Sequence, residues 1–267
     1  MSLVEISANL VKELREQTGA GMMDCKRALQ ETGGDVDAAR TLLRERGIAQ
    51  AGKRAGRVTT EGIVLTTVSG SVGAMVAIGC ETEPVSRNEE FLAFAEAALE
   101  TVEESGSEAA ESLEEARVEL VAKLGENVVV RGAVQLEAGE GELLGEYVHP
   151  PAHKIGVLLR AKGENAAAAR RLAMHISFAA PRFLARKDVP EEEVAAERAI
   201  LEKQPEVEGK PDDVRARILE GMLAKRFYAE SVLLDQTWIH EPAKTVAQAL
   251  EEDGLEVVEF ERFALAE

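Results

Sequence analysis

Gly19-Ala20-Gly21-Met22-Met23-Asp24 opens as a phosphate-cradling loop would, with glycines that let backbone N–H groups approach an anion. The third glycine of that pattern is absent and no strand precedes it, so the stretch reads as a turn between two helices. No GxxxxGK[ST] and no GxSxG stretch occurs. His149 and His153 stand four apart, but Pro150-Pro151 between them forbids a helix and no third ligand is near, which argues against a metal pair. Cys25 and Cys80 are the only cysteines. Their spacing makes neither a CxxC pair nor a disulfide framework, and their apolar or helical neighbours mark both as buried, inert thiols. His175, in an alanine-rich stretch, reads as a satisfied core or surface histidine rather than a general base. Asp and Glu are abundant but lie on solvated helix faces, so no nucleophile–base set emerges. The expectation is a binding protein: no enzyme, no catalytic residues, no metal and no cofactor.

Composition points the same way. The 267 residues are 45% hydrophobic, enough for one large domain or two to three small ones. A net charge of −18 opposes a phosphate backbone, and 4% aromatic residues offer few stacking platforms. The first 57 residues are the exception, with ten Lys and Arg against eight Asp and Glu. That surplus is too small for direct nucleic-acid binding, and a protein partner fits better. No apolar run approaches the roughly 18 residues of a membrane span. The opening Met1-Ser2-Leu3-Val4-Glu5 has no charged start followed by an apolar core, so a cytoplasmic protein without a membrane partner is expected.

The elements that would position these residues follow from periodicity. Ser7 caps a helix carrying Leu10, Val11 and Leu14. Gly19 to Gly21 turn the chain into a second helix, Met22 to Glu31, with Cys25, Ala28 and Leu29 on one side. Asp35 caps a third, with Val36, Ala39, Leu42 and Leu43 inward and Gly47 as its stop. A basic linker follows at 48–57. The pattern then turns to period two: Gly62–Val68 and Val72–Ile78 around Ser69-Gly70-Ser71 read as a hairpin. Helices are predicted over Asn88–Glu103 and Leu113–Leu124, then short strands at Val128–Val130, Gln135-Leu136 and Leu143–Tyr147. A similar cycle begins at His153, with a strand over Lys154–Gly163 and a helix over Ala166–Ala180, which reads as an internal duplication. Pro190–Lys203 and Pro211–Tyr228 form an antiparallel helical hairpin, with Val194, Ala195, Ile200 and Leu201 facing Val214, Ile218, Met222 and Leu223. Val246–Leu250 is a short helix and Val257–Leu265 a last strand.

Three sets of residues resemble the elongation factor Ts family. Leu10 to Leu29 is close to that family's N-terminal signature throughout. Cys80-Glu81-Thr82-Glu83-Pro84-Val85-Ser86-Arg87-Asn88 is similar to its T-D-F-V-[SA]-[RK]-N motif with two changes. Gly125-Glu126-Asn127, Ile155–Leu158, Ala173–Ile176 and Pro242–Val246 fall in the same order and spacing as in the family.

The resemblance implies an α+β fold: an N-terminal three-helix, ubiquitin-associated-like module at 1–47, then two similar α+β subdomains with antiparallel sheets, at 58–150 and 151–267. The second carries the emerging helical hairpin at 190–228. It also implies the partner, elongation factor Tu, whose GDP would be released by disturbance of the magnesium and phosphate site. Partner contacts carried over are Arg15, Met22, Met23, Lys26, Leu124, Gly125, His149, Ile239 and His240. Thr82, Glu83, Pro84 and Val85 would form the loop that dislodges magnesium. Met22-Met23 has a second reading as ordinary core, although adjacent helical residues face different ways and at least one should be exposed.

Two departures matter. Glu83 stands for the family's Asp, and Pro84 for its Phe, where proline is expected to bias Glu83 towards an extended backbone. Gln236-Thr237-Trp238 likewise stands for Gln-Pro-Phe. The further C-terminal helix of some relatives is not expected after the last strand. A free monomer is expected, since both subdomains share one chain. The rival readings are a Ts-like protein that binds or chaperones Tu without exchange, and an unrelated adaptor using the N-terminal module.

Overall fold

The computed structural model describes residues 6–265; the readings of residues 1–5 and of the chain end at 266–267 lie outside the described residues. The fold is α+β, with an N-terminal helical region and two three-stranded antiparallel sheets. The chain divides into two compact units: Met1–Leu65 with Val76–Val134 and Ala264–Glu267, and Thr66–Met75 with Gln135–Phe263.

In the first unit, Ser7 Oγ accepts the Leu10 N–H at 3.2 Å and starts α1 (Ala8–Thr18). Gly19 ends it in the left-handed region at φ 65°, and Gly21 opens α2 (Met22–Glu31). Asp35 caps α3 (Val36–Arg54) through the Ala38 N–H. Val11, Leu14, Cys25, Ala28, Leu29 and Ala39 form the core of the three helices. Helix α3 does not stop at Gly47 but runs to Arg54, so most of the expected linker is helix. Gly47 is buried, and a Cβ there would lie 3.1 Å from Ala122 Cβ. The glycine therefore permits close approach to α6 (Glu114–Leu124) rather than ending a helix.

The first sheet has strand order β1 (Glu61–Ser69), β2 (Val72–Cys80), β3 (Val128–Glu137). The fragments expected at 128–130 and 135–136 are one strand. Arg131 interrupts the apolar run because its guanidinium binds Thr59 Oγ1 and O, both at 3.1 Å. Between β2 and β3 come the turn α4 (Glu83–Ser86), α5 (Glu89–Ser105), a 3-10 segment (Ser107–Leu113) and α6. Helix α5 buries Phe91, Phe94, Ala95, Ala98 and Val102; each phenylalanine contributes about 1.5–3 kcal/mol by its burial.

The second unit holds the sheet β4 (Glu142–Val148), β5 (Ile155–Lys162), β6 (Glu256–Ala264). Strands β4 and β5 pair from Glu142↔Lys162 to Val148↔Gly156. Helix α7 (Ala166–Ala179) lies close on them: a Cβ at Gly145 would be 3.0 Å from Ala169 Cβ. Its core joins Leu159, Leu172, Ile176, Trp238, Leu250 and Val257, with α11 (Val246–Asp253) capped by Thr245. Both sheets have two consecutive strands, then helix, then a third strand, in the same order; the second cycle begins with β4 at Glu142 rather than at His153 as expected, because β4 pairs with β5.

The helical hairpin is α8 (Glu191–Leu201) and α9 (Asp212–Leu223), continued by a π turn at Ala224–Tyr228 and α10 (Ala229–Ser231). Its core is Leu201, Val207, Leu219, Met222 and Leu223. Ala195, Ile200 and Val214, expected inward, are exposed, the last two by 54% and 37%. Leu201 takes the inward direction, one residue and about 100° round the helix from Ile200, and Val207 of the connecting turn fills the space between the helices.

Candidate functional site

Met22 and Met23 begin α2 and are 57% and 62% exposed, while the buried side of the same helix is Cys25, Ala28 and Leu29. The core reading of the two methionines is therefore excluded. Arg15, in the last turn of α1, and Lys26 are also exposed. The module thus offers two flexible apolar side chains near two cations. The α1–α2 turn lies against α6, since a Cβ at Gly19 would meet Lys123 Cε at 2.3 Å. Leu124, half-buried, follows Lys123, and Gly125 closes α6 in the left-handed region at φ 79°.

Strand β2 ends at Cys80, and the chain then forms the turn at Thr82, Glu83, Pro84 and Val85, exposed at the first three and half-buried at Val85. Glu83 is not extended. It is the first residue of a helical turn, with Pro84 in the first-turn position where its missing N–H costs nothing. Its carboxylate meets Arg87 one turn on at 2.6 Å. Both side chains are well exposed, so this pair orients Glu83 more than it stabilises the fold. Asn88 Oδ1 accepts the Glu90 N–H at 2.9 Å and caps α5 immediately after.

The turn is anchored on the segment just after α6. Glu126 accepts both the Thr82 N–H and hydroxyl, and Glu81 accepts the Asn127 N–H at 2.6 Å and the Arg57 guanidinium at 3.3 Å. The structure thereby brings Thr82–Val85 beside Leu124 and Gly125. The tie through Glu126 was not read from the sequence. Its only signal was the Gly125-Glu126-Asn127 stretch, whose partner lies 44 residues upstream.

In the second unit His149 is exposed, with Tyr147 Oη 3.2 Å from its Nδ1. Ile239 is half-buried and His240 exposed, its Nε2 3.1 Å from the Arg171 carbonyl. Behind them His175 is fully buried, so the core alternative holds. Its Nδ1 accepts the Ile239 N–H at 3.4 Å, which leaves Nε2–H to donate to Gln236 Oε1 at 2.9 Å. The Trp238 ring stands 5.2 Å from that of His175 and 4.7 Å from that of His240. Gln236 Nε2 donates to the carbonyls of Ala179 and Glu230. Trp238 is buried, filling the aromatic position expected of it.

Burial holds the His175 pKa below its ordinary 6.5, because the charged ring would lose its hydration. As pH falls through 6.5 the unfolded ring takes a proton that the folded ring refuses. Stability from this group is then complete above about 6.5 and lost progressively below it. The urea midpoint of the second unit should fall from about pH 7.5 to about 5.5, and His175→Gln should flatten the decline. An equal decline in the variant would assign it to other groups.

Cys25 and Cys80 are buried thiols, and burial raises the Cys25 pKa. Among the described residues no three His, Cys, Asp or Glu stand where they could hold a metal ion, and no helix is long and apolar enough to cross a membrane.

Repeated strand-strand-helix-strand units behind a three-helix segment place the chain in the α+β class. The Elongation factor TS family model matches residues 81–267. Elongation factor Ts of Escherichia coli O139:H28 (strain E24377A / ETEC) is 39% identical over 269 residues, covering 99% of this chain and 93% of the relative. Elongation factor Ts of Escherichia coli (strain K12 / DH10B) and of Shigella boydii serotype 18 (strain CDC 3083-94 / BS512) match to the same extent. The chain belongs to the elongation factor Ts family.

Proposed function

We propose that this protein binds elongation factor Tu and speeds release of its GDP, without covalent chemistry or a cofactor of its own. The observation that carries the reading is the exposed Met22-Met23 pair at the start of α2, set apart from the module's core. Exposed methionines adapt to a partner surface, and Arg15 and Lys26 beside them supply charge for orientation. The Thr82–Val85 turn carries the Glu83 carboxylate, whose charge would compete for or unsettle a partner's magnesium ion. Binding of this protein and of GDP with magnesium are then antagonistic by linkage: each lowers the affinity of Tu for the other by the same factor.

Size-exclusion chromatography tests this. The chain should co-elute with Tu after EDTA treatment, and GDP with magnesium should separate them. Co-elution indifferent to nucleotide would contradict the exchange mechanism. The second reading, a Tu-binding protein or chaperone without exchange, is favoured by Pro84. Proline presents a smaller face than the roughly 150–250 Å² an aromatic ring buries. On either reading the protein is cytoplasmic, monomeric when not bound to Tu, and contacts neither nucleic acid nor membrane.

A further inference from the structure

The turn Glu83–Ser86 is four residues long, none of them buried, and Thr82 does not cap it with its own side chain. Its internal bonds are Ser86 N–H to the Thr82 carbonyl at 3.2 Å and Ser86 Oγ to the Glu83 carbonyl at 2.8 Å. A single helical turn of this kind does not persist by itself in water. Its direction must come from what holds its two ends. One end is Asn88, fixed as the cap of α5. The other is Thr82, and it is held by Glu126.

Both carboxylate oxygens of Glu126 are committed to this one residue. Oε2 accepts the Thr82 backbone N–H at 3.0 Å and Oε1 accepts its hydroxyl at 2.6 Å. The adjacent residues reciprocate: Glu81 Oε1 accepts the Asn127 N–H at 2.6 Å. The Asn127 amide in turn donates to the carbonyl of Arg57 at 3.1 Å, beyond the end of α3. Gly125, at φ 79°, turns the chain out of α6 so that Glu126 meets Thr82. Charge-assisted bonds of this length are the stronger kind, and two on one residue fix direction as well as position.

We infer that Glu126 is a positioning residue for nucleotide release: its carboxylate orders the Thr82–Val85 turn before the partner arrives. The inference rests on the exchange reading above. A preordered turn meets the partner without the entropy of ordering being lost during the rate-limiting step. Glu126 thereby raises the maximal release rate, and affinity stays with the methionine pair.

The test is GDP release from Tu, measured against concentration of the full-length protein, with hydrogen–deuterium exchange of residues 82–87 in the free protein. Glu126→Ala removes both charge-assisted hydrogen bonds to Thr82 and should lower the maximal rate about tenfold or more, while half-saturation moves less than about twofold. The same variant should speed amide exchange at 82–87 and leave α5 unchanged. Glu126→Gln should recover the rate to within about threefold, because its amide oxygen accepts the Thr82 N–H and its amino group donates to the hydroxyl oxygen. Thr82→Val should cost part of the rate alone and nothing further on the Glu126→Ala background.

Unmutated protein that speeds release, with Glu126→Ala equal to it, would overturn the role of Glu126 alone. A loss confined to half-saturation, or no recovery in Glu126→Gln, would make Glu126 a structural residue and overturn the inference. No acceleration by the unmutated protein would overturn the exchange reading and this role together.

Discussion

Replacing Met22 and Met23 together by alanine is expected to weaken binding to nucleotide-free elongation factor Tu by roughly 30-fold or more. Each is a candidate hot spot worth about 1–2 kcal/mol, and about 1.4 kcal/mol is a factor of ten. The fold should survive the change. Both side chains are more than half exposed, the module's core is built from other residues, and alanine is at least as good a helix former as methionine. Titration of Tu with the double variant measures the affinity, and far-ultraviolet circular dichroism checks the helices. Unaltered affinity with intact helices would remove α2 from the interface.

Gln236→Ala is expected to destabilise the second unit by about 3 kcal/mol. The substitution strips partners from His175 Nε2 and from the carbonyls of Ala179 and Glu230. Orphaning the fully buried His175 ring costs about 1–3 kcal/mol, and the carbonyls of half-buried Ala179 and exposed Glu230 add less because water reaches them. Urea unfolding followed by Trp238 fluorescence reads the loss, since that ring packs against His175. A loss under about 1 kcal/mol would mean that the cluster is hydrated rather than closed. The consequence reaches the surface, because Ile239 and His240 are set by the same cluster: Ile239 by its N–H to His175, His240 by its ring against Trp238.

What the sequence revealed and what it concealed differ in a physical way. The capping residues Ser7 and Asp35, and the glycine at the end of α1, act on neighbours within a few residues, so local pattern sufficed to place them. Gly47 looks locally like a helix stop, yet its meaning is the approach of Ala122 on another helix. Arg131 looks like a strand break, yet it stays in β3 because Thr59 receives it. Ile200 fits the hairpin's period as well as Leu201 does, and only the packing of Val207 decides between them.

The candidate site shows the same division. Helical geometry requires at least one of Met22 and Met23 to be exposed, and both are. The residue before a proline is biased towards extended backbone, yet Glu83 lies in a helical turn and Arg87 holds its carboxylate. The ties of Glu126 to Thr82 and of Gln236 to His175 span 44 and 61 residues, beyond the reach of any local rule.

The most direct test of the account is stopped-flow release of a fluorescent GDP analogue from elongation factor Tu, with and without this protein and with its Glu83→Ala variant. The unmutated protein should speed release by at least about tenfold, and Glu83→Ala should lose most of that gain while still binding. Release at the same rate with and without the protein, despite a stable complex, would contradict exchange and leave a Tu-binding protein in its place.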